Sequence, residues 1–334
     1  MADPRWLIER FGVTTRVVGA PMAGIGHGRL AAAVSAAGGL GTIGVGPFAS
    51  GEWIAKECAV ASEPGRAFGV GLMGWSLPGN MAQLDATIEA RPSVVSVSFG
   101  PYEAHVGPLQ DAGIVVTTQI ATVDEARAAE QAGVDFIVSR GREGGGHGRD
   151  EVGTLVLLQA VLDAVDLPVL AAGGIAGGRG LAAVLAAGAC GAWVGTAFLA
   201  CTEAESSATA RARIFVADET DTAYGRVFDI AQRLDWPPEF GGRALRNPFF
   251  DRWVGNYEAL QADQGAVDEL RAARGAEDFD TAYIYAGQGV GLLSRERTAA
   301  EVVAEFAGAD ERLRRAASGN RRGMGGPTPR MARE

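Results

Sequence analysis

The chain has 334 residues, enough for one barrel-sized domain or two smaller ones, and at 47% hydrophobic it reads as globular. Its 40 acidic against 30 basic residues leave a net charge of -10, which argues against nucleic acid or a membrane surface as partner and for work on small molecules. Cys58, Cys190 and Cys201 are scattered, odd in number and without metal-ligand spacing, which fits a reducing, cytoplasmic setting and no disulfide framework.

Met1-Ala2-Asp3-Pro4-Arg5-Trp6 has no basic region leading into an apolar run, so no secretion signal is expected. Apolar segments further on are broken by glycine or charge well short of the roughly 20 residues of a membrane helix. Short β-branched runs predict strands at Thr15 to Val18, Leu40 to Val45, Ala67 to Leu72, Val94 to Ser98, Ile114 to Thr118, Phe136 to Ser139, Pro168 to Ala172 and Ala192 to Gly195. Helical stretches such as Gly28 to Ala37, Thr122 to Ala132, Thr154 to Val165 and Gly178 to Ala187 follow most of them, which predicts a parallel sheet with helical crossovers. Eight such units favour a closed α/β (β/α)8 TIM barrel over residues 1–200 rather than an open doubly wound sheet. The rhythm then changes. Residues 201–297, punctuated by Asp235-Trp236-Pro237-Pro238 and Arg246-Asn247-Pro248-Phe249-Phe250, read as a mainly helical extension over the barrel mouth. Residues 298–317 read as a final helix, and 318–334, rich in Gly, Pro and Arg, as a disordered tail.

The chemistry concentrates after the predicted strands. Ser139 through Gly148 follows the sixth and sets His147, one of three histidines, among glycines. Glycine lets backbone N–H groups approach a ligand and imidazole titrates near neutral pH, although a surface connection has the same composition. The seventh and eighth strands end in Ala171-Ala172-Gly173-Gly174-Ile175 and Trp193-Val194-Gly195-Thr196. Loops at these places in such a barrel bind phosphate through backbone N–H groups, and finding both favours that over plain tight turns. Among the rest, His27 faces the site or solvent, His105 reads as a solvated helical residue, and Glu143 orients its loop or is exposed. Met73, Trp75 and Gln119 line the pocket or pack the core. Neither His-Glu-x-x-His nor Cys-x-x-Cys occurs, no Gly-x-Ser-x-Gly elbow is present, and Gly24 to Gly28 lacks dinucleotide-loop spacing.

Pro21-Met22-Ala23-Gly24, Ala36 through Gly44, Glu143 through His147, Ala171 through Ile175 and Gly195-Thr196-Ala197-Phe198-Leu199 together resemble the nitronate monooxygenase family, formerly called 2-nitropropane dioxygenases. Ala286 through Leu292 resembles that family's late Ala-Gly-Gln segment. Each piece is short; their order over about the first 200 residues makes the set specific. The resemblance implies a barrel that binds FMN and oxidises alkyl nitronates with O2 to a carbonyl compound and nitrite. By position, Gly145, Gly174, Trp193, Val194, Gly195 and Thr196 would contact the flavin, with Gly173 beside them. Pro21, Met22 and Ala23 would border its ring, and His147 would be the active-site histidine, as a base toward a nitroalkane or a protonated partner for a nitronate.

Two departures stand at the implied flavin site: Arg140 where the family has Gln, and Gly71 where it has Asn. Arg140 would still donate hydrogen bonds to the flavin or face an anionic substrate, whereas Gly71 offers only backbone. NAD(P)H-dependent enoyl-acyl-carrier-protein and quinone reductases resemble the same family, so a reductase is the alternative within the flavin class. A flavin-binding regulator without turnover is the alternative from another class. Barrel enzymes often form homo-oligomers, but no interface is legible in one sequence.

Overall fold

The computed structural model describes residues 3–318. Its strands are β1 (Val17–Gly19), β2 (Gly41–Gly44), β3 (Phe68–Met73), β4 (Val94–Ser98), β5 (Val115–Ile120), β6 (Phe136–Arg140), β7 (Gly146–Gly148), β8 (Val169–Ala172), β9 (Gly191–Val194), β10 (Thr222–Gly225) and β11 (Gly241–Leu245). Eight of these form one parallel sheet in the order β1-β9-β8-β6-β5-β4-β3-β2. A parallel bridge between Val18 and Leu40 brings the two edges together, so the sheet closes into the expected α/β barrel.

The strands are buried along almost their whole length because both of their faces are covered. Alternation still sorts them. Val18, Phe136, Val138, Leu170 and Trp193 share one buried cluster, while Val17, Ile137, Ala171, Ala192 and Val194 join a second cluster with residues of the surrounding helices. Those helices start where their caps allow: Ser50 accepts from Trp53 N at 3.2 Å to open Gly51–Ser62, and Thr122 accepts from Glu125 N at 3.2 Å to open Val123–Gln131.

Two regions depart from the sequence expectation. Residues 201–297 hold helices at Ala208–Val216, Val227–Ala231, Pro248–Trp253, Tyr257–Ala262 and Gln264–Ala276, but also β10 and β11, which pair antiparallel. β11 then pairs with β7, setting Gly242 opposite His147, so the glycine stretch after β6 is part of a three-stranded sheet rather than a free loop. These strands are three to five residues long and carry glycine, which hides them from periodicity. The last helix is two, Ala299–Ala307 and Ala309–Ala317, separated at Gly308, and the first opens on a capping box of Thr298 and Glu301. The tail expected from 318 onward lies, after Ser318, outside the described residues. Among the described residues no helix is long and apolar enough to cross a membrane.

Candidate active site

His147 lies on β7, whose pairing with β11 fixes its backbone beside the extension. Its Nε2 is 2.8 Å from Asp229 Oδ1, and the Asp229 side chain, on helix Val227–Ala231, is only 2% exposed. Tyr285 donates its phenolic O–H to the same oxygen at 3.0 Å. Burial, reinforced by the Asp229 charge, holds the Tyr285 phenol well above its ordinary pKa, so it remains a donor. Trp236 stacks on the imidazole with centroids 3.6 Å apart and an interplanar angle of 0°. Trp75 at 5.2 Å and Phe99 at 5.6 Å pack in turn on Trp236. The result is an imidazole held at one nitrogen by a buried carboxylate and on one face by an indole.

Arg140 does a different job from the one expected. Its side chain is buried at the end of β6, and its Nη2 donates to the carbonyls of Gly144 at 2.9 Å, Gly145 at 3.1 Å and Gly146 at 3.1 Å. The guanidinium therefore pins the glycine segment that leads to His147, instead of presenting this nitrogen to a ligand. Burial lowers its pKa to about 10, which leaves it charged at neutral pH. Glu143 braces the same segment. Its carboxylate accepts from Thr154 N at 2.9 Å and Thr154 Oγ1 at 2.8 Å, at the start of helix Thr154–Leu162, and its carbonyl accepts from Gln288 N at 3.0 Å. Arg243 ties β11 to this region through Asp150 Oδ1 at 2.7 Å and the Arg142 carbonyl at 2.8 Å.

The second half of the site is made of backbone. Gly173 and Gly174 have φ of +110° and +67°, conformations that favour glycine. Among the described residues, the N–H groups of Gly173, Gly174, Gly195 and Thr196 have no hydrogen-bond acceptor, and all four residues keep solvent access. Thr196 Oγ1 accepts from Gly287 N at 3.0 Å, and a Cβ on Gly289 would lie 3.4 Å from Ala176 Cβ, so the late Ala286 to Leu292 segment joins both glycine loops. Gly145 must be glycine here because a Cβ would collide with the backbone of Ala286 and Gly287. Pro21 lies against β3, where a Cβ on Gly71 would overlap its ring, so glycine at 71 leaves Pro21 room. Met22 lies across from Gly195, its Sδ 3.7 Å from where a Cβ on Gly195 would be. Trp193 and Val194 are buried, and among the described residues the Trp193 indole N–H has no partner.

The remaining sequence candidates divide. Trp75 joins the aromatic group around Trp236, and its own buried N–H has no partner among the described residues. Gln119 and Met73 are partly exposed at the ends of β5 and β3. His27 instead caps helix Gly28–Ala36 and packs edge-on against Trp53 at 5.1 Å, and His105 sits half-buried in helix Glu103–Asp111. Asp229, Trp236 and Tyr285 escaped sequence reasoning as site residues. One signal was available: Asp229 is a lone acid inside the apolar run Val227-Phe228-Asp229-Ile230-Ala231, and a carboxylate is seldom buried without a partner.

The nitronate monooxygenase family model matches residues 52–308. A nitronate monooxygenase of Paraburkholderia phytofirmans is 30% identical over 366 aligned positions, covering 90% of this chain and 94% of that protein. Among solved structures, FabK from Thermotoga maritima superposes with a TM-score of 0.82 at 30% identity, covering 96% of this chain and 99% of its own. A nitroalkane oxidase from Streptomyces ansochromogenes superposes with a TM-score of 0.78 at 31% identity, covering 93% and 99%.

Proposed function

The chain belongs to the nitronate monooxygenase family, a family of flavin-dependent oxidoreductases, and from that premise we propose that it binds FMN at the barrel mouth and oxidises alkyl nitronates with O2. The products are a carbonyl compound and nitrite; two nitronate anions and one O2 balance two carbonyls and two nitrites. One observation carries the reading: the acceptor-free N–H groups of Gly173, Gly174, Gly195 and Thr196 are joined to the His147 strand through the contact of Gly145 with Gly287. Free donors on glycine loops fit a phosphate, which would accept from all four. Pro21 to Ala23, beside Gly71 and Gly195, would then border the flavin ring.

FMN, when bound, supplies the electron transfer between substrate and O2. The chain's own residues do the rest. His147 takes the α-proton from a neutral nitroalkane, or when protonated pairs with the anionic nitronate. Trp236, Trp75 and Phe99 keep water from the imidazole face. Arg140 and Glu143 hold the segment between the phosphate loops and His147 in one conformation.

The test is anaerobic. Purified yellow protein is mixed separately with nitronate, NADH and NADPH. Bleaching of the flavin by nitronate supports the proposal; bleaching only by a reduced nicotinamide replaces it with a reductase, and bleaching by none with a flavin-binding regulator. Cofactor released by denaturation should run as FMN, and FAD would overturn the assignment.

A further inference from the structure

We propose that Asp229 sets the tautomer of His147, so that Nε2 carries a fixed proton donated to Asp229 and Nδ1 is the nitrogen that meets substrate. Asp229 Oδ1 stands within hydrogen-bond distance of two groups, His147 Nε2 at 2.8 Å and Tyr285 Oη at 3.0 Å. A carboxylate only accepts, so both neighbours must donate. With Asp229 Oδ1 the shared acceptor of both groups, the proton between Asp229 and His147 belongs to the ring. Tyr285, a buried phenol beside a carboxylate, keeps its own proton and occupies the remaining lone pair that Oδ1 offers on that side.

Packing on several sides opposes a flip of the ring. Its backbone is paired to Gly242 on β11, its face lies flat on Trp236 at 3.6 Å, and Tyr285 packs against it at 5.0 Å. A flip of the ring would take Nε2 from Asp229 and leave a carboxylate that is 2% exposed with Tyr285 as its one donor. The other ring nitrogen, Nδ1, has no partner among the described residues and is not buried, within an imidazole that keeps 12% of its side-chain exposure. Nδ1 is therefore the lone pair available to a proton from outside. Asp229 touches neither substrate nor cofactor in this arrangement; it is a positioning residue that acts through His147.

The assignment of Nδ1 as the reacting atom rests on the reading of His147 given under Proposed function; the tautomer does not. The experiment is nitrogen NMR on holoenzyme labelled with 15N-histidine. The chain has three histidines, and the His147 signals are those lost in His147→Gln. With the ring neutral, wild type should show a pyrrole-like Nε2 and a pyridine-like Nδ1. Asp229→Asn can turn its amide N–H toward Nε2 and should move the proton to Nδ1, with kcat falling about 10²–10⁴-fold and KM changing little, as for a wrong tautomer in an Asp-His pair. Tyr285→Phe should keep the wild-type tautomer. A wild-type ring protonated on Nδ1, or an unchanged tautomer and kcat in Asp229→Asn, overturns the proposal. If Asp229→Asn does not fold, the wild-type spectrum still decides. Full turnover in His147→Gln with the expected tautomer would instead defeat the catalytic reading of His147 and the role of Nδ1.

Discussion

In the barrel, strands adjacent in sequence lie mostly side by side, their residues are mostly buried, and what they are proposed to offer a ligand is backbone: the N–H groups of Gly173, Gly174, Gly195 and Thr196. In the extension, residues 201–297, the contributions are side chains, and they reach far: Asp229 meets His147 across 82 positions of sequence. On the proposed function, the barrel would be a general cradle and the extension would set the particular chemistry of one imidazole. Substitutions in the two regions should therefore separate cofactor affinity from turnover.

The largest effect is expected at Gly195, with φ of -102° and with Ala20 Cβ and Met22 Sδ both 3.7 Å from an added Cβ. Gly195→Asp fits locally while placing a carboxylate where phosphate is proposed to bind. Loss of two charge-assisted hydrogen bonds at about 1.5–3 kcal/mol each would weaken FMN binding by roughly 10²–10⁴-fold. Titration with FMN and the melting point of the apoprotein check this; equal affinity in mutant and wild type removes the phosphate role. Gly174→Asp should also weaken FMN, but its φ of +67° adds about 1 kcal/mol of destabilisation, so it is the less clean probe.

On the extension side of the comparison, His147→Asn should keep FMN bound and lower turnover of neutral nitroalkane by about 10²–10⁴-fold. Preformed nitronate needs no base, so with it the loss should be smaller and appear as weaker substrate binding. Unchanged kinetics with both substrates would take His147 out of the mechanism. If flavin occupancy falls with turnover, the separation of the two regions fails as well.

Sequence and structure agree on the barrel because most strands carry a short β-branched or apolar run next to a helix, information that is local. Val94 to Ser98 was legible to the residue. The positions of the glycine loops were legible for the same reason, since they follow from where the strands end. β7, β10 and β11 were not, because their stability comes from pairing with one another, they are short, and β7 and β10 are only partly buried. Arg140 shows the limit for single residues: its type announced a cation, yet only the fold reveals that three neighbouring carbonyls take up its Nη2.

A smaller effect should follow removal of the stacked indole. An aromatic pair contributes about 0.5–1.5 kcal/mol beyond its buried area, so Trp236→Ala should lower kcat/KM by roughly threefold to tenfold and leave FMN affinity unchanged. Trp236→Phe should restore most of it. Stopped-flow reduction with nitronate is the measurement, and a change in FMN affinity equal to the change in rate would tie this part of the extension to the cradle.

The smallest functional effect belongs to the thiols. Burial, with Glu57 beside one and Glu203 beside the other, pushes Cys58 and Cys201 up to about 12, and burial raises Cys190 as well. At pH 8 a thiol titrating near 12 is ionised to only ~10⁻⁴, and the thiolate is the nucleophile, so native protein should resist alkylation by iodoacetamide by roughly 10³-fold relative to an ordinary cysteine. All three should label together when the barrel unfolds, since all are buried among its strands and helices. Activity should be unchanged by reagent until then. Mass spectrometry along a urea titration reads the order, and early labelling of one thiol with turnover intact would show that the barrel opens in parts, making it less rigid a cradle than its closed sheet implies.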